Sequence, residues 1–289
     1  MKKQRSFKDQ QTGILYLVPT PIGNLEDMTF RSVRTLKEVA WIASEDTRNT
    51  QKLLIHFEIE TPQKSLHEHN YRERIPQLLE LLKKGDSIAQ VSDAGMPSIS
   101  DPGHELVVAC IEEEIPVVSL PGPTAGLTAL IASGLSPQPN VFYGFLPRKK
   151  KEQVQALEAL KAEKSTLIFY ESPYRIGGTV KQIADVFGSE RQAVICRELT
   201  KIHEEYLRGS LAELADYLEE NEIKGECCLM VSGNEGEETA AAVVTDKSLK
   251  EQVEELIQEG MKPNAAIKEV AQRNQVKKQV VYKEFHEIE

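Results

Sequence analysis

The stretch that most limits what this chain can fold into is Gln90–Gly103, Gln-Val-Ser-Asp-Ala-Gly-Met-Pro-Ser-Ile-Ser-Asp-Pro-Gly. An apolar run (Ile88, Ala89, Val91) stops there, and glycine, proline, serine and aspartate take over. Such a run predicts a buried strand ending in a loop, with Ser100 or Asp101 capping the next helix and Pro102 in its first turn. In open α/β sheets, ligands bind where loops leave the carboxyl ends of strands. Gly95 lets backbone approach a ligand closely, and Asp93 offers acceptor oxygens to hydroxyls or amines. Taken alone, an ordinary strand-to-helix turn accounts for the same residues. The pattern recurs, however. Ile14–Val18 ends in Pro19-Thr20-Pro21-Ile22-Gly23-Asn24, and Val117–Leu120 ends in Pro121-Gly122-Pro123-Thr124-Ala125-Gly126.

Between these loops, helical periodicity returns at Thr29–Ala40, Asn49–Phe57, Ile75–Lys84 and His104–Glu114. A further short strand is predicted at Trp41–Ala43. Strands alternating with helices predict a mostly parallel sheet covered on both faces. After a helix over Gly122–Ser133, strands are predicted at Val141–Leu146, Thr166–Tyr170, Ala193–Cys196, Glu205–Leu207 and Cys227–Val231. Helices fall at Ile176–Phe187 and Leu211–Tyr217, and another is opened by Arg148–Lys151. Hairpin character here predicts a mixed sheet. No GxGxxG follows the first strand and no GxxxxGK[ST] occurs, so the phosphate-cradling glycines of dinucleotide folds and P-loop enzymes are missing.

The 289 residues suffice for two domains, and no apolar run approaches the roughly 20 residues that cross a bilayer. The N-terminus is basic without an apolar signal region, and Cys110, Cys196, Cys227 and Cys228 lack the CxxC spacing of zinc or disulfide frameworks. These features predict a cytoplasmic protein with reduced thiols, no membrane partner and no metal. Net charge is −10, which excludes a simple coat for nucleic acid and requires any RNA contact to use local cations. Charges balance from Lys247 to Glu289, where three helical stretches (Leu249–Glu259, Asn264–Arg273, Val276–His286) are arranged like a helix-turn-helix unit. A helical cap or dimer element explains them as well as RNA contact does.

Four segments in this order, Pro19–Asn24, Ser44–Arg48 (Ser-Glu-Asp-Thr-Arg), Ser92–Gly103 and Pro121–Gly126, resemble the 16S rRNA cytidine 2′-O-methyltransferase family of the tetrapyrrole-methylase superfamily. The resemblance runs from about Gly13 to about Gly233. It implies two α/β domains with a cofactor cleft between them, plus a small helical C-terminal extension. The expected boundaries are a flexible tail over 1–12, domains over 13–121 and 122–232, a linker over 233–247 and helices over 248–289. It also implies S-adenosylmethionine as cofactor, the small ribosomal subunit and its 16S rRNA as partner, and a homodimer. The cofactor site implied comprises Pro21, Ile22 and Gly23, then Asp93, Ala94, Gly95, Met96 and Pro97, then Ser119, Pro121, Thr124 and Ala125. The second domain would add Tyr170, Glu171, Leu199, Gly225 and Glu226.

Methyl transfer from a sulfonium to a hydroxyl needs alignment and somewhere for the proton to go. Asp46, at a strand end on the expected cleft side, is the first candidate for that proton, with Glu45 expected to point away by strand alternation. As an alternative, Asp46 caps the following helix. Lys201 and His203 are the rival bases. Arg48, Arg148, Lys149 and Arg175 suit phosphate contact, Tyr174 suits base stacking, and Asn70 with His67 and His69 can line an RNA entrance. A helix start capped by Ser172 explains Tyr174 and Arg175 without RNA. Two other functions compete: a methylase of the same fold acting on a small tetrapyrrole-like substrate, and a ligand-sensing DNA-binding regulator. The second lacks a basic recognition helix, since lysines and glutamates balance over Gln275–Glu289, so no DNA partner is expected.

Overall fold

The computed structural model describes residues 1, 3–7, 11–99, 103–234, 248–258, 260–274, 276 and 278–286. Ser100, Asp101 and Pro102, and nearly all of the expected linker, lie outside them. Residues Met1–Ser232 form one compact unit and Gly233–Glu289 another.

In the first unit, apolar runs too short for helices pair into a parallel sheet. Its elements are β1 (Leu15–Leu17), α1 (Phe30–Glu38), β2 (Trp41–Ser44), α2 (Thr47–His56), β3 (Gln63–Ser65), α3 (Tyr71–Lys83), β4 (Ile88–Val91), α4 (Gly103–Glu112) and β5 (Val117–Ser119). The strand order is β3-β2-β4-β1-β5, with Leu15 opposite both Ile88 and Val117. Alternation along each strand feeds two cores. Ile42, Ala89 and Val91 pack with Leu36 and Leu54 on one face, while Leu15, Ala43 and Ile88 pack with Leu78, Leu82 and Leu106 on the other. β3 has no apolar pattern and is not predicted by the sequence. As an edge strand it needs none: Ser44 Oγ donates to Gln63 Oε1 at 2.8 Å, and Lys64 lies over the Trp41 ring at 3.9 Å.

The same unit holds a second sheet. α5 (Ala125–Ser133) leads to β6 (Asn140–Phe145), α6 (Lys150–Leu160), β7 (Thr166–Glu171), α7 (Ile176–Phe187), β8 (Gln192–Arg197), β9 (Glu205–Ser210), α8 (Leu211–Glu220) and β10 (Cys227–Val231). The order is β6-β7-β10-β8-β9, parallel only between β6 and β7. The last strand thus lies at the centre. Phe169, Ile195 and Leu229 face α6, α7 and α8, and Ile168, Val194, Cys228 and Met230 face α5. Ser210 and Glu213 form a reciprocal capping box at the start of α8.

The second unit contains α9 (Leu249–Gln258), α10 (Pro263–Arg273) and α11 (Lys278–Phe285) around Val253, Leu256, Ile267, Val270 and Val281. Asn274 Nδ2 donates to Gln252 Oε1 at 2.7 Å, tying the end of α10 to α9. Among the described residues no helix is long and apolar enough to cross a membrane.

Phe169 is wholly buried and Phe30 is 98% exposed. Urea unfolding of Phe169→Ala is expected to show a loss of about 3–5 kcal/mol, and Phe30→Ala a change within about 0.5 kcal/mol.

Candidate active site

The loops at the carboxyl ends of β1 and β4 are locked together by backbone. Thr20 N donates to Gly95 O and Gly95 N to Thr20 O, both at 3.0 Å, and Thr20 Oγ1 donates to Ser92 O at 3.1 Å. Gly95 takes φ 77°, and a Cβ there would lie 3.3 Å from Ile22. At Gly23 a Cβ would meet Lys201 Cγ at 2.6 Å, so the two sheets' loops close on each other at a residue with no side chain.

Between them lies a cleft of about 580 Å³, within the size of pockets that enclose cofactors. Of the residues expected to bind cofactor, Ile22, Asp93, Ala94, Gly95, Met96, Thr124 and Ala125 line it from one side. Tyr170, Glu171, Leu199 and Glu226 line it from the other. Pro21, Gly23, Pro97, Ser119, Pro121 and Gly225 do not. Pro21 and Gly23 border a smaller neighbouring cavity, Pro97 is buried, Ser119 at the end of β5 and Pro121 just after it are exposed, and Gly225 packs on Glu198. These six shape the loops rather than face the cleft. The sequence reading missed Glu45, Ser92, Ile99, Phe145, Ser172, Pro173, Cys227 and Cys228.

Glu45 does not point away as strand alternation predicts. Pairing of β2 ends at Ser44, so strand alternation no longer governs the next residue. Glu45 turns into the cleft, where its Oε2 accepts from Asp93 N at 3.2 Å. Asp46 is instead the N-cap of α2, accepting from Arg48 N at 2.8 Å. The Arg48 guanidinium grips both its oxygens, Nε to Oδ1 at 3.1 Å and Nη2 to Oδ2 at 2.7 Å. The side-chain and backbone hydrogen bonds from Arg48 hold the Asp46 carboxyl down at about 2. The structure thus shows Asp46 in the helix-capping position that the sequence offers as the alternative to a proton acceptor. Asp93 is fixed at the same junction, accepting from Asp46 N at 3.2 Å and from Asn49 Nδ2 at 3.0 Å.

Lys201 is paired likewise. Its ammonium donates to Glu198 Oε1 at 2.8 Å and to Glu226 Oε2 at 3.0 Å. Burial works to lower its pKa, but these two carboxylates outweigh it and raise the value, so Lys201 stays a cation. His203 is exposed and does not line the cleft.

Glu171 is 4% exposed, and its carboxylate accepts from Ser172 N and Thr179 Oγ1, each at 2.8 Å. Arg175 lies 3.5 Å from it and donates to Pro147 O at 3.3 Å, tying the start of α7 to the loop after β6. Arg48 is engaged by Asp46 in the same way. Asn70 closes a turn, its Oδ1 accepting from His67 N at 2.9 Å and its Nδ2 donating to Ser65 Oγ at 3.0 Å. Tyr174 is 97% exposed beside Ser172 and Pro173 of the cleft wall. Arg148 and Lys149 are exposed, with Lys149 Nζ 3.1 Å from Glu152. Gly126 N donates to the Tyr170 hydroxyl at 3.0 Å, seating the start of α5 against β7. Burial pushes the Cys227 thiol up to about 11 and Cys228 higher still.

Residues 14–215 match the tetrapyrrole (corrin/porphyrin) methylases. Over 289 residues, the whole of both chains, the sequence is 56% identical to ribosomal RNA small subunit methyltransferase I of Streptococcus pyogenes serotype M1. This chain belongs to that methyltransferase family. The enzyme of the same name from Bacillus subtilis strain 168 is 49% identical over 99% of each chain. The fold is shared with the uroporphyrin-III C-methyltransferase of Thermus thermophilus, solved with S-adenosylhomocysteine (TM-score 0.55, 18% identity, 76% of this chain and 97% of that one). It is shared also with cobalt precorrin-4 methyltransferase (TM-score 0.57, 17% identity, 76% and 94%).

Because the folded pKa of Asp46 is depressed, its contribution to stability is present above its ordinary value of 3.8 and is lost as pH falls toward about 2. Carboxyl NMR titration is expected to show Asp46 titrating near 2, and Arg48→Ala to return it toward 3.8.

Proposed function

We propose that this methyltransferase uses S-adenosylmethionine to methylate the ribose 2′-hydroxyl of a cytidine in the decoding region of 16S rRNA. The observation that carries the reading is the extent of similarity. The rRNA-methylating relative matches the whole chain, C-terminal helices included, whereas the solved tetrapyrrole methylases match 76% of it at under 20% identity. That contrast disfavours a small tetrapyrrole-like substrate. We take residues 13–121 and 122–232 as the two catalytic domains, with 233–247 linking them to the C-terminal helices.

The cleft suits the cofactor. Ile22, Met96 and Leu199 offer apolar surface, Asp93 and Glu226 offer acceptors for hydroxyls and an amine, and Gly95 brings backbone close. When bound, S-adenosylmethionine supplies a methyl group on a positively charged sulfur, already activated for transfer. The chain must then orient the ribose and take its proton. Holding the reacting groups in line is worth on the order of 7–11 kcal/mol. Glu45, facing the cleft and fixed on Asp93 N, is the carboxylate we assign to accept the hydroxyl proton, a role worth roughly 10²–10⁴ in rate. Tyr174 is the base-stacking platform, and Arg148 with Lys149 supplies local positive charge to a chain of net −10. Exposed apolar side chains at Leu127 and Ile131 of α5 and Phe142 of β6 favour self-association, in keeping with a homodimer.

The direct test supplies labelled S-adenosylmethionine and small ribosomal subunits lacking the modification, followed by nuclease mapping. One 2′-O-methylated cytidine is expected, and cofactor binding without transfer to rRNA would overturn the reading. In the same assay Glu45→Gln is expected to lower kcat about 10²–10⁴-fold with cofactor affinity retained. Asp93→Ala is expected to raise the cofactor Kd by roughly 10- to 100-fold, as loss of a charged hydrogen bond does.

A further inference from the structure

Two large apolar side chains of the cleft wall stand outside its shielded interior. Ile22 and Met96 are half-buried and Leu199 and Cys228 are buried, whereas Ile99 is 60% exposed and Phe145 59%, so these two mark the mouth. They come from opposite walls, Ile99 from the loop after β4 and Phe145 from the end of β6. An irregular backbone aims each of them. Phe142 of β6 pairs with Ile168 and Gly144 with Phe169, so Tyr143 is an extra residue, and Gly144 takes φ 80°. This bulge turns Phe145 onto the same face as Phe142, where unbroken alternation would point it to the other. Both rings consequently meet Tyr170, at 5.0 and 5.6 Å between centroids. The Phe145 contact is edge-to-face, at 67°, and engages at most one face of its ring. On the opposite wall Ser98 holds φ 69°, a left-handed conformation unfavourable for serine. The buried Gln90 of β4 fixes it there, Nε2 donating to Ser98 Oγ at 3.0 Å. Strain held in this way collects at ligand clamps.

We propose that Phe145 and Ile99 receive the base of the nucleotide being methylated, Phe145 stacking on it and Ile99 meeting it from the opposite wall. This rests on the RNA-methylating reading above. The ribose carbon that carries the base is bonded to the carbon that carries the reacting 2′-hydroxyl. A ribose presented to the cofactor therefore brings its base into the same cleft, away from its neighbours in the RNA stack. Bases drawn out of a stack are taken up on aromatic and apolar side chains. The cofactor, against the shielded interior with Ile22 and Leu199, leaves the mouth to the substrate. Tyr174 does not line the cleft and serves a neighbouring base.

The test uses the full-length protein with small ribosomal subunits lacking the modification, and measures cofactor binding and oligomeric state alongside. Phe145→Ala is expected to lower kcat/KM for subunits about 5- to 100-fold, as loss of stacking on one base does, with cofactor Kd and oligomeric state unchanged. Phe145→Tyr keeps a ring and is expected to recover most of that loss. Ile99→Ser is expected to lower the same kcat/KM about 2- to 10-fold, again without change in cofactor Kd. Wild-type kcat/KM in Phe145→Ala, or in Ile99→Ser, would overturn the inference. A cofactor Kd raised in step with the loss would also overturn it, assigning the ring to the cofactor. So would a changed oligomeric state, assigning it to a subunit contact. Absence of transfer to rRNA by the wild type would instead overturn the RNA reading and this inference with it.

Discussion

The reciprocal backbone bonds between Thr20 and Gly95 are the constraint on which the rest of the site depends. Parallel strands deliver their loops to one edge of a sheet but do not fix how those loops meet. Here a two-bond bridge fixes it, and the left-handed backbone at Gly95 brings the loop under Ile22. Ser92 and Asp93 thereby become a rigid ridge, with the cofactor cleft on one side and the smaller cavity on the other. Everything assigned to cofactor or substrate is measured from that ridge.

Around it the charges are sorted by their partners. Asp46 is spent on Arg48 and the first turn of α2, Glu171 on Arg175, and Glu198 on Lys201. Each pairing makes a scaffold from groups that look catalytic in isolation. Asp93 receives a backbone amide and an asparagine amide, and Glu45 receives the amide of Asp93, so these two carboxylates are joined to each other across the loops of β2 and β4.

Much of this was legible in the sequence because it follows from local pattern. The Pro/Gly loops after Leu17, Val91 and Ser119 marked the strand ends, and helical periodicity placed the layers. β3 escaped because an edge strand such as Gln63–Ser65 need not be apolar. The inward turn of Glu45 escaped because alternation was carried one residue past the last paired position, Ser44. Cys227 and Cys228 escaped for a topological reason. Their strand inserts between β7 and β8, and only that central position brings its first residues to the cleft. Arg175 and Asn70 have the chemistry of RNA contacts, and only three-dimensional partners reveal that they also tie loops of the fold.

That central strand also places two cysteines in the wall of the cleft that would hold a methylsulfonium cofactor. A thiolate there would be the softest nucleophile within reach of a methylsulfonium, and alkylation of it would inactivate the enzyme once and for all. Burial keeps both thiols protonated far above neutral pH. The packing of β10 between α5 on one face and the helices on the other therefore acts as chemical insulation for both thiols.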